Sequence, residues 1–141
     1  MEIQGNALIT DALALRLATG ADPAQIAEAI VSTWREIDSQ LAPILGQGGV
    51  TALYHRSVFL AARSHPWLGS QNGTPAPVDA SALQALLSLR SSAEAADAGG
   101  AVLLNFHELL TRLVGPSLTE RLLRPVWTNL SSGPPAQDTP P

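Results

Sequence analysis

Apolar side chains recur at alternating gaps of three and four residues in the first half of the sequence, and this spacing limits how the chain can fold. The positions are Ala27, Ile30, Trp34, Ile37, Leu41 and Ile44. At 3.6 residues per turn they form one stripe along a helix of about 22 residues. Asp22 can cap this helix and Pro23 suits its first position. The spacing therefore predicts a long amphipathic helix that begins at Pro23.

Two further apolar stripes have the same helical spacing. One consists of Val102, Leu103, Phe106, Leu109, Leu110 and Leu113, and the other of Leu118, Leu122, Val126 and Leu130. Leu and Ala, which lose little rotamer freedom in a helix, far outnumber the β-branched Val and Ile that strands prefer. The sequence therefore predicts an all-α protein, a compact bundle of five to six helices.

Glycine and proline divide the chain. Residues 69–78 (GSQNGTPAPV) form an uncharged linker and are the best position for an internal boundary. Residues 132–141 (SGPPAQDTPP) have no side chains that could form a core, so we expect a disordered tail. We therefore expect one helical domain over residues 1–131.

A short pattern occurs twice. Residues 41–46 (LAPILG) and 110–115 (LTRLVG) both read L-x-x-[IL]-[LV]-G, and each closes a long helical segment at a glycine. The two copies are 69 residues apart (110 − 41), about half of the chain. Two related three-helix halves are one interpretation of this offset. The other is a coincidence between two stretches of a Leu-rich sequence.

The charged residues exclude several classes of function. All eight basic residues are scattered arginines, against twelve acids, for a net charge of −4. Nucleic acids and anionic membrane surfaces require clustered basic residues, so we expect neither as a partner. Without cysteine, and with three irregularly spaced histidines, the sequence predicts no metal site and no cofactor. No apolar run is long enough to span a bilayer, and we expect a cytoplasmic protein.

The segment His107-Glu108-Leu109-Leu110-Thr111-Arg112-Leu113 resembles the H box of sensor histidine kinases, H-E-x-x-T-P-L. The resemblance implies that His107 accepts a phosphoryl group and that Glu108 acts as its base. It also implies that the segment lies on a helix of a dimeric bundle. No glycine-rich nucleotide-binding segment follows, so the resemblance implies a phosphotransfer module rather than an autokinase.

Two positions depart from this pattern. Arg112 replaces the proline that bends the helix in the H box. Phosphotransfer modules usually have a basic residue three positions after the histidine, where this chain has Leu110. The other interpretation of His107 is a histidine at the edge of a buried face that hydrogen-bonds a neighbouring helix.

The low fraction of charged residues, 14 %, predicts more apolar surface than one bundle can cover. Candidate binding residues are Leu104, on the expected outer face of its helix, and Trp67 and Trp127, each near a proline at a helix end. We therefore interpret the chain as a non-enzymatic protein-interaction or regulatory module whose partner is another protein or a second copy. The alternatives are phosphotransfer through His107 and binding of a small apolar ligand between helices.

Overall fold

The computed structural model describes residues 4–69 and 79–131, and within these ranges the protein is all-α, with no strand. A short 3-10 helix, Pro66–Leu68, follows the second of five α-helices. The α-helices are α1 (Gln4–Ala18), α2 (Pro23–Ala61), α3 (Ala80–Ser88), α4 (Ser92–Val114) and α5 (Pro116–Ser131). The predicted tail and all of the predicted linker except Gly69 lie outside the described residues.

The two long helices begin at side-chain caps. The Asp22 carboxylate accepts a hydrogen bond from the backbone N–H of Gln25, and the Gln25 side chain accepts one from the N–H of Asp22, both at 2.9 Å. This reciprocal pair confirms the predicted start of α2 at Pro23. At the start of α4, the Ser91 hydroxyl accepts from the N–H of Glu94 at 3.1 Å.

A glycine elbow interrupts α2. Gly46 has φ 83° and ψ 155°, and divides the helix into a first arm (residues 23–45) and a second arm (residues 47–61). The helical segment predicted to close at Gly46 is therefore interrupted there rather than ended, since helix resumes at Gln47. Gly115, between α4 and α5, has the same conformation, with φ 92° and ψ 157°. Only glycine adopts this region without strain.

Each elbow turns the chain back on itself. Trp34 of the first arm packs edge-on against Tyr54 of the second arm, with ring centroids 5.1 Å apart. His107 of α4 packs against Trp127 of α5 with a tilted geometry, with ring centroids 6.0 Å apart. The two arms of α2 therefore form one helical hairpin, and α4 with α5 forms another.

The two hairpins pack together with their leading helices parallel. At one end the Ser92 hydroxyl donates to the carbonyl of Ala21 at 2.7 Å, and further along the Trp34 and Phe106 rings are 4.9 Å apart. These contacts occur in the same order along both helices, so the first arm and α4 run in the same direction. Outside this four-helix core, α1 packs on α4 and α5, and α3 packs chiefly on α2.

The apolar stripes form the core, except at the elbows. Most predicted positions are buried, and Trp34, Leu41, Phe106 and Leu110 lie in one cluster. Leu109 and Leu122 are half-buried, and the exposed exceptions, which we expected to be buried, are Ile44 (53 % exposed), Leu113 (61 %) and Leu118 (36 %). Each of these exposed side chains is within three residues of Gly46 or Gly115, where the helix direction changes and no helix continues across the apolar face.

The elbow glycines provide a test of this fold. We expect Gly46→Ala and Gly115→Ala each to lower the free energy of unfolding by about 1–3 kcal/mol, since a Cβ there forces a strained backbone. A Cβ placed on either glycine would have no heavy atom of its surroundings within 4 Å, so the loss of stability comes from the backbone conformation and not from a steric clash. Urea unfolding followed by circular dichroism measures it.

Gly48→Ala is the matched control, because Gly48 is helical and its built Cβ also has open space. Alanine is the better helix former, so this variant should gain up to about 1 kcal/mol. Equal changes in the free energy of unfolding for Gly46→Ala and Gly48→Ala would contradict the positive φ angle of Gly46.

Candidate functional site

His107 lies inside the bundle. It is on the face of α4 that meets α5, its side chain is only 7 % exposed, and its ring packs against that of Trp127. The nearby Thr111 hydroxyl donates to the His107 backbone carbonyl at 2.8 Å. A phosphoryl donor on another protein would have to reach a ring that α4 and α5 cover.

Burial also sets the charge of His107. Desolvation lowers the pKa of its imidazole, and the carboxylates of Glu120 and Glu108 oppose this effect to a smaller extent. Glu108, the base implied by the H-box resemblance, pairs instead with Arg112 at 3.2 Å, and both side chains are mostly exposed. The structure thus turns Glu108 to the solvent side of α4, whereas His107 faces inward.

Trp67 is half-buried after the end of α2, within a small polar cluster. The guanidinium carbon of Arg90 lies 4.4 Å from the centre of one of its rings, a cation–π contact, and His65 packs edge-on at 6.2 Å. His65 Nε2 is in turn 2.8 Å from Oδ2 of Asp97. These contacts join the end of α2 to α4 and to the turn before it, so part of the Trp67 surface is already occupied within the chain.

The other two candidate binding residues are covered. Trp127 is 2 % exposed and belongs to the core. Leu104 is half-buried and packs against the core, so only part of its side chain is exposed. At the adjacent position, the side chain of Asn105 donates to the backbone carbonyl of Ser57 at 3.1 Å. The second arm of α2 covers this side of α4.

The second arm of α2 exposes a large aromatic residue that the sequence analysis does not select. Phe59 is 60 % exposed, and the Arg56 guanidinium carbon lies 5.6 Å from its ring centroid. His55 is exposed one helical turn before Phe59, and Arg63 is exposed in the turn that follows the end of α2 at Ala61. We call His55, Arg56, Phe59 and Arg63 the α2 face.

The α2 face lies in a part of the sequence that has no acidic residue. Asp38 and Asp79 are successive acids, so residues 39–78 contain only arginine and histidine as ionisable side chains besides Tyr54. This stretch of a chain with net charge −4 is therefore locally cationic. This gap between acids contains Arg56, Phe59 and Arg63 at spacings of three and four residues. That pattern is the sequence signal from which the α2 face could have been predicted.

Other kinds of site have little support in the described part of the chain. Residues 4–69 and 79–131 contain no cluster of three or more His, Cys, Asp or Glu that could hold a metal ion. A surface concavity of about 810 Å³ is lined by α5 alone, including Arg121, Arg124 and Thr128, and is not a pocket between helices. In the same ranges, no helix combines the length and apolar character needed to cross a bilayer.

Comparison with protein families, with curated proteins and with solved structures gave no match for this chain.

The buried imidazole makes stability depend on pH. The folded-state pKa of His107 is lowered, so the unfolded chain binds the proton more readily. This contribution to stability is complete above the unfolded pKa of about 6.5 and decreases as the pH falls below it. We expect the urea concentration at the unfolding midpoint to decrease when the pH is lowered from about 7.5 to about 5. The His107→Gln variant should show a smaller decrease.

His55→Gln, at an exposed position, is the matched control for the loss of a histidine. The difference in pH slope between the two variants isolates position 107. A His107→Gln variant with the parent's slope would show that the imidazole is not kept neutral by the fold.

Proposed function

We propose that the protein is a non-enzymatic protein-interaction module that binds an acidic, amphipathic segment of another protein on the α2 face. The observation that carries the proposal is Phe59, 60 % exposed with the guanidinium of Arg56 over its ring. Exposed aromatic residues and arginines are enriched where proteins bind each other. Phosphotransfer through His107 has less support than protein binding, because a buried imidazole is a poor acceptor for a phosphoryl group on another protein.

The chemistry of the face indicates the chemistry of its partner. Burying the exposed part of the Phe59 ring is favourable by up to about 1.5–3 kcal/mol, which requires an apolar side chain opposite it. Arg56 lies over the ring and Arg63 is exposed four positions later in the chain, so both favour carboxylates near that apolar contact. An amphipathic helix with leucine on one face and glutamate beside it satisfies both requirements.

A designed peptide of about 18 residues is a suitable probe, with leucines at helical i, i+3, i+4 and i+7 positions and glutamates elsewhere. We expect the full chain to bind it with amide shifts in ¹⁵N-resolved NMR spectra concentrated between Thr51 and Ser64. Phe59→Ala should weaken binding about tenfold, the loss of some 1.4 kcal/mol. The charge reversal Arg56→Glu should also weaken peptide binding, and this loss should be larger at low salt than at high salt.

Two matched controls separate this face from the rest of the surface. Ile44→Ala removes an equally exposed apolar side chain at the elbow, and Arg35→Glu reverses an exposed charge on the first arm. Both should bind the peptide as the parent does. Absence of binding at millimolar peptide, or equal losses in Phe59→Ala and Ile44→Ala, would overturn the proposal. Self-association that Phe59→Ala abolishes, without peptide binding, would assign the face to a second copy instead.

A further inference from the structure

The second half of the chain repeats the construction of the first at a fixed offset. The cap residues Asp22 and Ser91 differ by 69 positions, and so do the elbow glycines Gly46 and Gly115 (91 − 22 and 115 − 46). The first arm of α2 and α4 therefore have equal lengths between a cap and a glycine of the same backbone conformation. These landmarks fix the alignment of the two halves before any other residue is compared.

The buried positions agree throughout this alignment. Every buried residue of α2 has a buried counterpart 69 positions later, on α4 or α5. Those of the first arm are Ile26, Ala27, Ile30, Val31, Thr33, Trp34, Ile37 and Leu41, and their counterparts are Ala95, Ala96, Gly99, Gly100, Val102, Leu103, Phe106 and Leu110. Those of the second arm are Val50, Tyr54, Ser57, Val58 and Ala61, and their counterparts are Thr119, Leu123, Val126, Trp127 and Leu130. Few of these pairs are identical, so the agreement reflects the packing rather than the residue types.

Equivalent residues meet at the centre of the bundle. A Cβ built on Gly99 would lie 2.8 Å from Cδ1 of Ile30, and Ile30 is the counterpart of Gly99 (99 − 30 = 69). A residue that contacts its own equivalent lies on the two-fold axis of an isologous interface. The first arm of α2 and α4 also run parallel, as two helices do when the two-fold axis that relates them runs along their length. The crossing of these two helices therefore marks a local pseudo-two-fold axis.

The first helix of each half, α1 or α3, packs on the other half. Arg16 of α1 donates to the carbonyl of Leu130 at the end of α5, at 2.8 Å. In the opposite direction, the Tyr54 hydroxyl of α2 donates to the carbonyl of Asp79, the cap of α3, at 3.1 Å. Thus α1 and α3 are exchanged between the halves, as elements are in swapped dimers.

We infer that this chain is a tandem fusion of two copies of one three-helix unit, joined as a pseudo-dimer with exchanged first helices. The surface that each unit presents to the other is built as a homodimer interface, and the partner that it fits is a second copy of the unit. Fusion allows the two residues on the axis to differ, which identical subunits cannot do. Ile30 fills the crossing from one side, and Gly99 leaves room for it from the other. This inference is independent of the proposed function.

A size exchange on the axis tests the inference. Ile30→Gly leaves a cavity, and Gly99→Ile places a side chain where Ile30 already is, so each variant should melt at least about 10 °C below the parent. With both changes, the isoleucine projects from the equivalent position across the axis into the same space. The double variant should recover at least half of the loss, measured by circular dichroism melting of the full chain.

The control is a large–small contact that does not lie on the axis. A Cβ built on Gly100 would lie 2.9 Å from Leu13, but the two positions are not equivalent, since they differ by 87 rather than 69. The exchange Leu13→Gly with Gly100→Leu should therefore give no recovery. If the exchanges to glycine and isoleucine prevent folding, the milder pair Ile30→Ala and Gly99→Ala places the same residue at both equivalent positions. The decrease in melting temperature of this double variant should be smaller than the sum of the decreases in the two single variants. Additive losses on the axis, or equal recovery at the control pair, would overturn the inference.

Discussion

The close crossing of the first arm of α2 over α4 determines where the other helices lie. Gly99 has no side chain, so Ile30 can pack directly against the backbone of α4. Next to this contact, Trp34 lies edge-on to both Tyr54 and Phe106, which fills the space between the two hairpins. The two glycine elbows then return the chain antiparallel to each long helix. Because the leading helices are parallel, both elbows lie at the same end of the bundle.

This arrangement also determines which side chains remain available to a partner. The core takes up nearly all the large apolar residues of the leading helices, and His107 and Trp127 are enclosed with them. The second arm of α2 is different, because its outer side carries Phe59 among arginines and no acid. The charge of the whole chain is negative, so this local cationic surface arises from the distribution of charge rather than from its total.

The candidate site shows how much of a functional site the local sequence can predict. A histidine and glutamate in an H-box-like segment indicate which atoms could react, but accessibility depends on the helix packed opposite. The 3.6-residue period places His107 at the edge of a stripe, and α5 then covers that edge with Trp127. Leu104 is likewise half-buried against the core. The α2 face was detectable only in part: the gap between acids is visible in the sequence, whereas the exposure of Phe59 depends on the absence of a helix packed over it in the described residues.

Local interactions within the chain determined the helices of this protein, and contacts between distant segments determined everything built from them. Asp22 and Gln25 cap α2 through atoms three residues apart, and the elbow glycines follow from the sequence pattern that precedes each of them. The period of apolar residues selects the buried face of each helix, since it depends only on the 3.6-residue turn. Parallel packing of the leading helices, exposure of Ile44 and Leu113, and burial of His107 depend on which helix lies opposite. No local pattern specifies that neighbour, because it is chosen by the fit of side chains some 69 residues apart, such as Ile30 against Gly99.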